Sequence, residues 1–226
     1  SILAKSGHIN HKYLKESESD KKAVIVVTAN RGLAGGYNSN ITRMIIDEGF
    51  TKENTVVYAV GKKGRELLER KGYEIKADYS EAINDPIYKD AKEICDDVLS
   101  AFADGEVGEI YLAYTVFKNT VVHEPQLIRL LPVEADDAAH ETDGSEALMT
   151  YEPSEEEALD MIIPKYVCSL VYGALIESVA SENGARMQAM DSATSNAEES
   201  LLKLLRALML SNKNMEARLN GREKYR

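Results

Sequence analysis

The chain has 226 residues, enough for one ordinary domain with an extension, and 44% of them are hydrophobic, which suffices for a buried core. With 38 acids against 27 bases the formal net charge is −11, a balance that excludes a dedicated nucleic-acid binder, since phosphate recognition needs a basic surface. No unbroken apolar run approaches the ~20 residues that span a bilayer, and the polar start SILAKSGHINHKYLKESESDKK does not read as a signal peptide. These features predict a soluble cytosolic chain with no direct membrane insertion.

In chain order, residues 1–21 are polar and weakly helical in texture. Ala23-Val24-Ile25-Val26-Val27-Thr28 is a continuous, β-branched run and predicts a strand buried on both faces. The glycine loop Asn30–Gly36 follows, and then a helix that Asn38 or Ser39 would cap, with Ile41, Met44, Ile45 and Ile46 facing inward. Thr55–Val60 predicts a second strand ended by Gly61. Helix 62–71 stops at Gly72, where a left-handed glycine would close it. A third strand is expected at 73–77 and a helix at 86–103, with Pro86 in its first turn. Further strands follow at 110–114 and at 120–132, the latter interrupted by Pro125. Strands alternating with helices predict an α/β class fold, a Rossmann-like layered domain with a mainly parallel sheet.

Residues 134–147, EADDAAHETDGSEA, are acidic and poor in large apolar side chains, the composition of a surface loop. From Ser154 the texture changes. Ser154-Glu155-Glu156-Glu157 resembles a capping box at a helix start, and Pro164 should kink that helix or open a new one. No proline follows. Apolar residues recur at three- and four-residue steps, as at Ile163, Val167, Leu170 and Ala174, and a helix of ~60 residues would reach ~90 Å. Much of it must then project from the domain, and its apolar stripe calls for a partner helix. The small residues Ala180, Ser181, Ala185, Ala189, Ala193 and Ala197 suit a close, thin helix pair. The organisation expected is an α/β domain over 1–153 and a long helical segment over 154–226.

The chemistry-bearing patterns are sparse. The loop Thr28–Asn38, TANRGLAGGYN, lies between a strand and a helix, where glycines let a backbone approach a phosphate. Its spacing fits neither the dinucleotide nor the P-loop fingerprint, so a tight structural turn is the main reading and a nucleotide-binding enzyme the alternative. No G-x-S-x-G elbow is present. His8 and His11 stand three residues apart with no carboxylate beside them, so surface histidines are expected rather than a metal site. Cys95 and Cys168, 73 positions apart, read as two reduced thiols. No catalytic, cofactor or metal residue is assigned.

Two segments carry a resemblance. Thr28-Ala29-Asn30-Arg31-Gly32-Leu33-Ala34-Gly35-Gly36-Tyr37-Asn38 resembles the S/T-x-D/N-R-G-L-C/A-G-x-x-N signature of the gamma subunit of rotary ATP synthases. The stretch Ala180–Ala197, ASENGARMQAMDSATSNA, is similar to that family's ASE-x-x-ARM-x-AM-x-x-AT-x-NA pattern. Between them Val60–Gly64, Tyr151-Glu152-Pro153 and Ile163-Pro164-Lys165-Tyr166 match in order, and the likeness covers about residues 1–199. The resemblance implies a non-catalytic rotor shaft of a proton- or sodium-driven enzyme, without a cofactor, on the cytoplasmic side of the membrane. Its partners would be the alpha, beta and epsilon subunits and the membrane c-ring. The α/β domain would be the foot, with Tyr151, Glu152 and Pro153 near the ring and epsilon. Arg186, Met187, Met190, Thr194 and Asn196 would lie on the axle where it enters the alpha–beta hexamer, and Asn30, Arg31, Gly32, Gly35 and Asn38 would form the family loop.

Two departures from the family pattern stand out. The family has a helix of about fifty residues ahead of the position of Ser1, which supplies the axle partner, and a different C-terminal helix from Ser200 onward. The chain as given is therefore expected to form half an axle, with Leu201–Met209 exposed and prone to self-association or partner capture.

Overall fold

A computed structural model describes residues 11–14, 19–133 and 155–223. β1 (Lys22–Val27), β2 (Thr55–Val60), β3 (Glu74–Asp78), β4 (Glu109–Phe117) and β5 (His123–Leu131) form one sheet in the order β3-β2-β1-β4-β5. The first three pairings are parallel and β4–β5 is antiparallel. β1 is flanked on both sides, which is why its β-branched run has no exposed face. Its residues 23–27 are at most 1% exposed. Successive side chains alternate between faces, and this divides the core. Val24 and Val26 pack with Ile41, Ile45 and Leu68 from α1 (Tyr37–Asp47) and α2 (Lys62–Arg70). Ala23, Ile25 and Val27 pack with Ile94, Val98 and Phe102 of α3 (Tyr88–Ala103) and with α4 (Glu155–Glu223). The class is α/β with a mostly parallel sheet, as expected.

Local details differ from the expectation in instructive ways. α1 starts at Tyr37, so the capping position falls on Gly36, which has no side chain; Asn38 and Ser39 lie inside the first turn, where Asn38 Oδ1 accepts from Ala29 N at 2.9 Å and Ser39 Oγ donates to Gly36 O at 3.1 Å. Ile41 and Ile45 are buried, whereas Met44 and Ile46 are only partly so. Gly72 does close α2, with φ +88° and Tyr73 N donating to Leu68 O at 3.1 Å. α3 begins at Tyr88, after Pro86, and the Asp90 carboxylate accepts from Ile87 N–H at 3.0 Å. Pro125 sits in β5, a sheet-edge strand where a missing N–H costs no ladder bond.

α4 runs 69 residues without interruption, straight through Pro164. The proline neither ends it nor opens a new helix, because the flanking turns are held by burial of Leu159, Ile163 and Val167. At 1.5 Å per residue its length is about 100 Å. Leu159, Ile163, Val167, Val171, Leu175 and Ser178 form a stripe at helical spacing against the sheet face and α3. From Met190 to Met215 every residue is exposed, including Leu201, Leu202, Leu204, Leu205 and Leu208.

Three sequence expectations need correction. The α4 segment Glu156–Met215 is long and apolar enough to cross a membrane, with mean hydropathy 1.5 over its most apolar 18 residues, of which 39% is buried. Counting unbroken runs missed it, because Asp160, Lys165 and Glu177 interrupt the run without lowering the average much. The buried residues of the helix base, Ile163, Val167, Val171 and Leu175 among them, pack in the domain core, while Met161, Ile162 and Ile176 are exposed. Second, His11 is 2% exposed and meets Asp160 Oδ1 of α4 at 3.3 Å, with its Nδ1 accepting from Tyr13 N at 3.3 Å. It is a buried histidine beside a carboxylate that lies 149 positions away in the chain. Third, of the small residues expected to seat a second helix, Ser181 and Ala185 pack on the α/β domain itself, as described below. Cys95 and Cys168 are both buried and free. Burial, and then the Cys168 thiol beside it, push the Cys95 thiol far up, so it is a packing group rather than a nucleophile.

Candidate functional site

The glycine loop is stitched into the domain at every turn. Thr28 Oγ1 accepts from Gly64 N at 2.9 Å and donates to Gly61 O at 3.2 Å. Asn30 Oδ1 accepts from Lys62 N at 2.9 Å, and Lys63 N donates to Ala29 O at 3.0 Å. The first three N–H donors of α2, where a bound anion would otherwise be received, are thus all bonded within the fold. Asn30 Nδ2 donates to Ser80 O at 2.7 Å and to Asn84 Oδ1 at 2.9 Å, joining the loop to the turn after β3. A side chain at Gly61 would place its Cβ 2.1 Å from Thr28 O, so glycine is required there for two backbones to touch. The glycines of Val60–Gly64 make room for Thr28, and the loop is a structural joint.

The other side of the loop faces α4. Leu33 and Gly35 have φ of +61° and +54° and lift the loop tip toward the helix, where Ala189 lies 3.9 Å from the Cβ position of Gly35. Arg186 pairs with Glu182 at 2.6 Å and its Nη2 donates to Gly32 O at 3.4 Å. Tyr37 OH donates to Ser178 O at 3.1 Å, and burial pushes the tyrosine hydroxyl far up, so it stays a donor. Ser181 Oγ donates to Thr115 O of β4 at 3.0 Å. Gly184 lies against the β4–β5 hairpin: a Cβ there would sit 2.6 Å from His123 Cε1 and 3.5 Å from Phe117.

A cleft of about 430 Å³ opens between the loop, the hairpin and α4, lined by Gly35, Asn40, His123, Gln188 and Ser192 among others. Its titratable side chains are His123 and the bonded Tyr37, which do not make an acid–base pair. No cluster of three or more metal-ligating side chains is present among the described residues. What the arrangement can do is mechanical: it holds a long helix to a rigid domain.

Of the sequence-selected residues, Asn30, Gly32, Gly35, Asn38 and Arg186 meet at this joint, while Arg31 is exposed and contributes its carbonyl, which accepts from Asn38 Nδ2 at 3.5 Å. Met187 and Met190 are about half exposed, and Thr194 and Asn196 lie on the fully exposed stretch, where Thr194 Oγ1 donates to Met190 O at 3.0 Å. Tyr151, Glu152 and Pro153 lie outside the described residues, as does His8. Sequence reasoning did not place Tyr37, Thr115, His123, Ser178, Ser181 or Gly184 at this joint, although Tyr37 and Gly184 stand in the two motif strings and Ser181 also among the small residues. A signal existed for two of them: Ser178 and Ser181 are polar residues on an otherwise apolar stripe.

The protein-family profile described as ATP synthase matches residues 1–209. The ATP synthase gamma chain of Lachnoclostridium phytofermentans is 62% identical over 204 residues, covering 88% of this chain and 70% of that protein. This chain belongs to the ATP synthase gamma-chain family. A gamma chain described as sodium ion specific, from Acetobacterium woodii, is 39% identical over 214 residues, covering 88% of this chain and 71% of that one. The central stalk of the Tetrahymena thermophila mitochondrial ATP synthase has the same fold, with TM-score 0.62 at 24% identity over 85% of this chain and 84% of that chain. Membership makes the chain a subunit of an ATP synthase, of the central-stalk kind. In this chain the glycine loop and the first part of the Ala180–Ala197 stretch, Ser181 to Ala189, meet at one joint, and Met190–Ala197 lies beyond it.

Proposed function

We propose that this chain is the non-catalytic rotor shaft of its ATP synthase, carrying torque between a membrane rotor ring and an alpha–beta hexamer. The observation that carries this reading is α4: one unbroken helix that is core at its base and exposed on all sides from Met190 to Met215. A helix anchored in this way is a lever. Residues 1–153 would be the foot, with Tyr151, Glu152 and Pro153 toward the ring and the epsilon subunit, and 154–226 the axle segment. Met187, Met190, Thr194 and Asn196 would face the hexamer and a partner helix. The beta subunits would hold the catalytic sites, and the ion driven would be a proton or sodium. The complex would sit peripherally on the cytoplasmic side of the membrane.

The test is assembly of the chain with the alpha, beta and epsilon subunits and the ring in lipid vesicles, followed by ATP hydrolysis and ATP-driven ion uptake. The expected result is a stable complex whose ion uptake depends on this chain. Uptake that proceeds equally well without it would overturn the reading.

A further inference from the structure

The apolar stripe of α4 from Leu159 to Leu175 fixes the helix base on the sheet by close packing, and beyond Leu175 directional and shape contacts take over. An axle that carries torque needs a feature there that stops it rolling about its own axis. The joint supplies such a feature at one level of α4. Ser178 is reached by Tyr37 of α1, Ser181 by Thr115 of β4, Gly184 by His123 of β5, and Arg186 reaches Gly32 of the loop. At about 100° per residue these four positions span about 200° of the helix circumference. They lie within nine consecutive residues, 178–186, just before the helix leaves the domain.

We propose that these four contacts form a collar that locks the axle against rotation relative to the foot, with Gly184 against His123 as its key. The two ring nitrogens of His123 are buried without hydrogen-bond partners among the described residues, so the ring acts there through its shape. Its edge occupies the space a Cβ at 184 would need. Helix rotation in either direction would drive the flanking side chains, Asn183 or Ala185, into that ring. Tyr37 and Ser181 add directional bonds to the backbone on either side. The four side chains that make these contacts, Tyr37, Ser181, His123 and Arg186, are positioning residues. The inference rests on the rotor reading above and identifies where torque crosses from foot to axle.

The experiment uses the assembled ATP synthase in vesicles and reads ions taken up per ATP hydrolysed. A bulky wedge, Gly184→Leu, and a shape-preserving pair, Tyr37→Phe with Ser181→Ala, are compared with the parent. With the collar loosened, hydrolysis should persist within about twofold while uptake per ATP falls at least about threefold, because each hydrogen bond lost raises the slip frequency several-fold. His123→Ala placed in the Gly184→Leu background should restore part of the ratio by reopening the space. If Gly184→Leu prevents assembly, the Tyr37→Phe, Ser181→Ala pair decides alone. An unchanged ratio in every variant that assembles overturns the collar. Failure of the parent complex to couple uptake to hydrolysis through this chain overturns the rotor reading instead, before any variant is compared.

Discussion

The two halves of α4 share one backbone, and both carry many apolar residues, yet they live in opposite environments. Its base, Leu159 to Ala189, is seated on the sheet and α3, with Val171 and Leu175 at 0% exposure. Its tip, from Met190 to Met215, exposes every residue although it carries more leucine. Hydrophobicity alone therefore does not decide burial; what decides is whether another element lies within reach. The base presents a stripe whose small residues bring it close to the foot, and the tip presents its leucines to solvent, where a second helix would cover them.

The largest effect that would break this contrast is in the core. Leu175→Ala should cost about 2–5 kcal/mol of foot stability in denaturant unfolding, by transfer and cavity terms together. Leu205→Ala in the tip should change it by no more than about 0.5 kcal/mol. Equal losses would mean that the tip is packed in solution. Two glycines in the same helix sharpen the contrast further. Gly184→Ala forces a Cβ into His123 and should destabilise by about 1–3 kcal/mol. Gly173→Ala meets nothing within 4 Å and should stabilise by about 0.5–1 kcal/mol through helix propensity. Both can be read from thermal or denaturant midpoints, and the same sign at both sites would contradict the close approach at 184.

The smallest effect concerns the clasp at the foot of the helix. The Lys12 hydrogen bond, with help from His11, holds the Asp160 carboxyl below its ordinary value of 3.8, and the same bond raises Lys12 above 10.5. A depressed carboxylate contributes stability above its unfolded pKa and loses it as pH falls through the folded value. The raised lysine contributes below 10.5 and loses it as pH rises through its folded pKa. The clasp is thus present across neutral pH and lost below about 3.8 and above about 10.5. Asp160 is largely solvent-exposed, so Asp160→Asn should remove only a few tenths of a kcal/mol near neutrality. It should also flatten the acid limb of a stability–pH profile, and a profile identical to the parent's would remove the clasp from consideration.

Much of the fold was legible in local pattern. The run Ala23–Thr28 has the composition of a doubly buried strand, and Ile94, Val98 and Phe102 repeat at helical steps. Gly72 ends its helix for the reason the position suggests. The joint was only half legible. Its two motifs stand out as strings, but nothing in either string says that they touch, since Gly32 and Arg186 lie 154 positions apart. His11 looked like a surface residue because its partner, Asp160, is remote in sequence. Ser181 and Ala185 looked like part of a helix–helix seam, because small residues signal close approach without saying to what.

The sequence by itself determined the α/β class, the presence of a long helix beyond Pro164 and the family, because these rest on periodicity, turn chemistry and motif strings that are local to the chain. Only the tertiary structure decided that β5 returns antiparallel, that α4 is continuous through Pro164, and that the glycine loop and the hairpin close around Ser178–Arg186. Those outcomes depend on distances between residues far apart in the chain, and a one-residue change in helix phase, about 100°, would have presented a different face to the foot with the same composition.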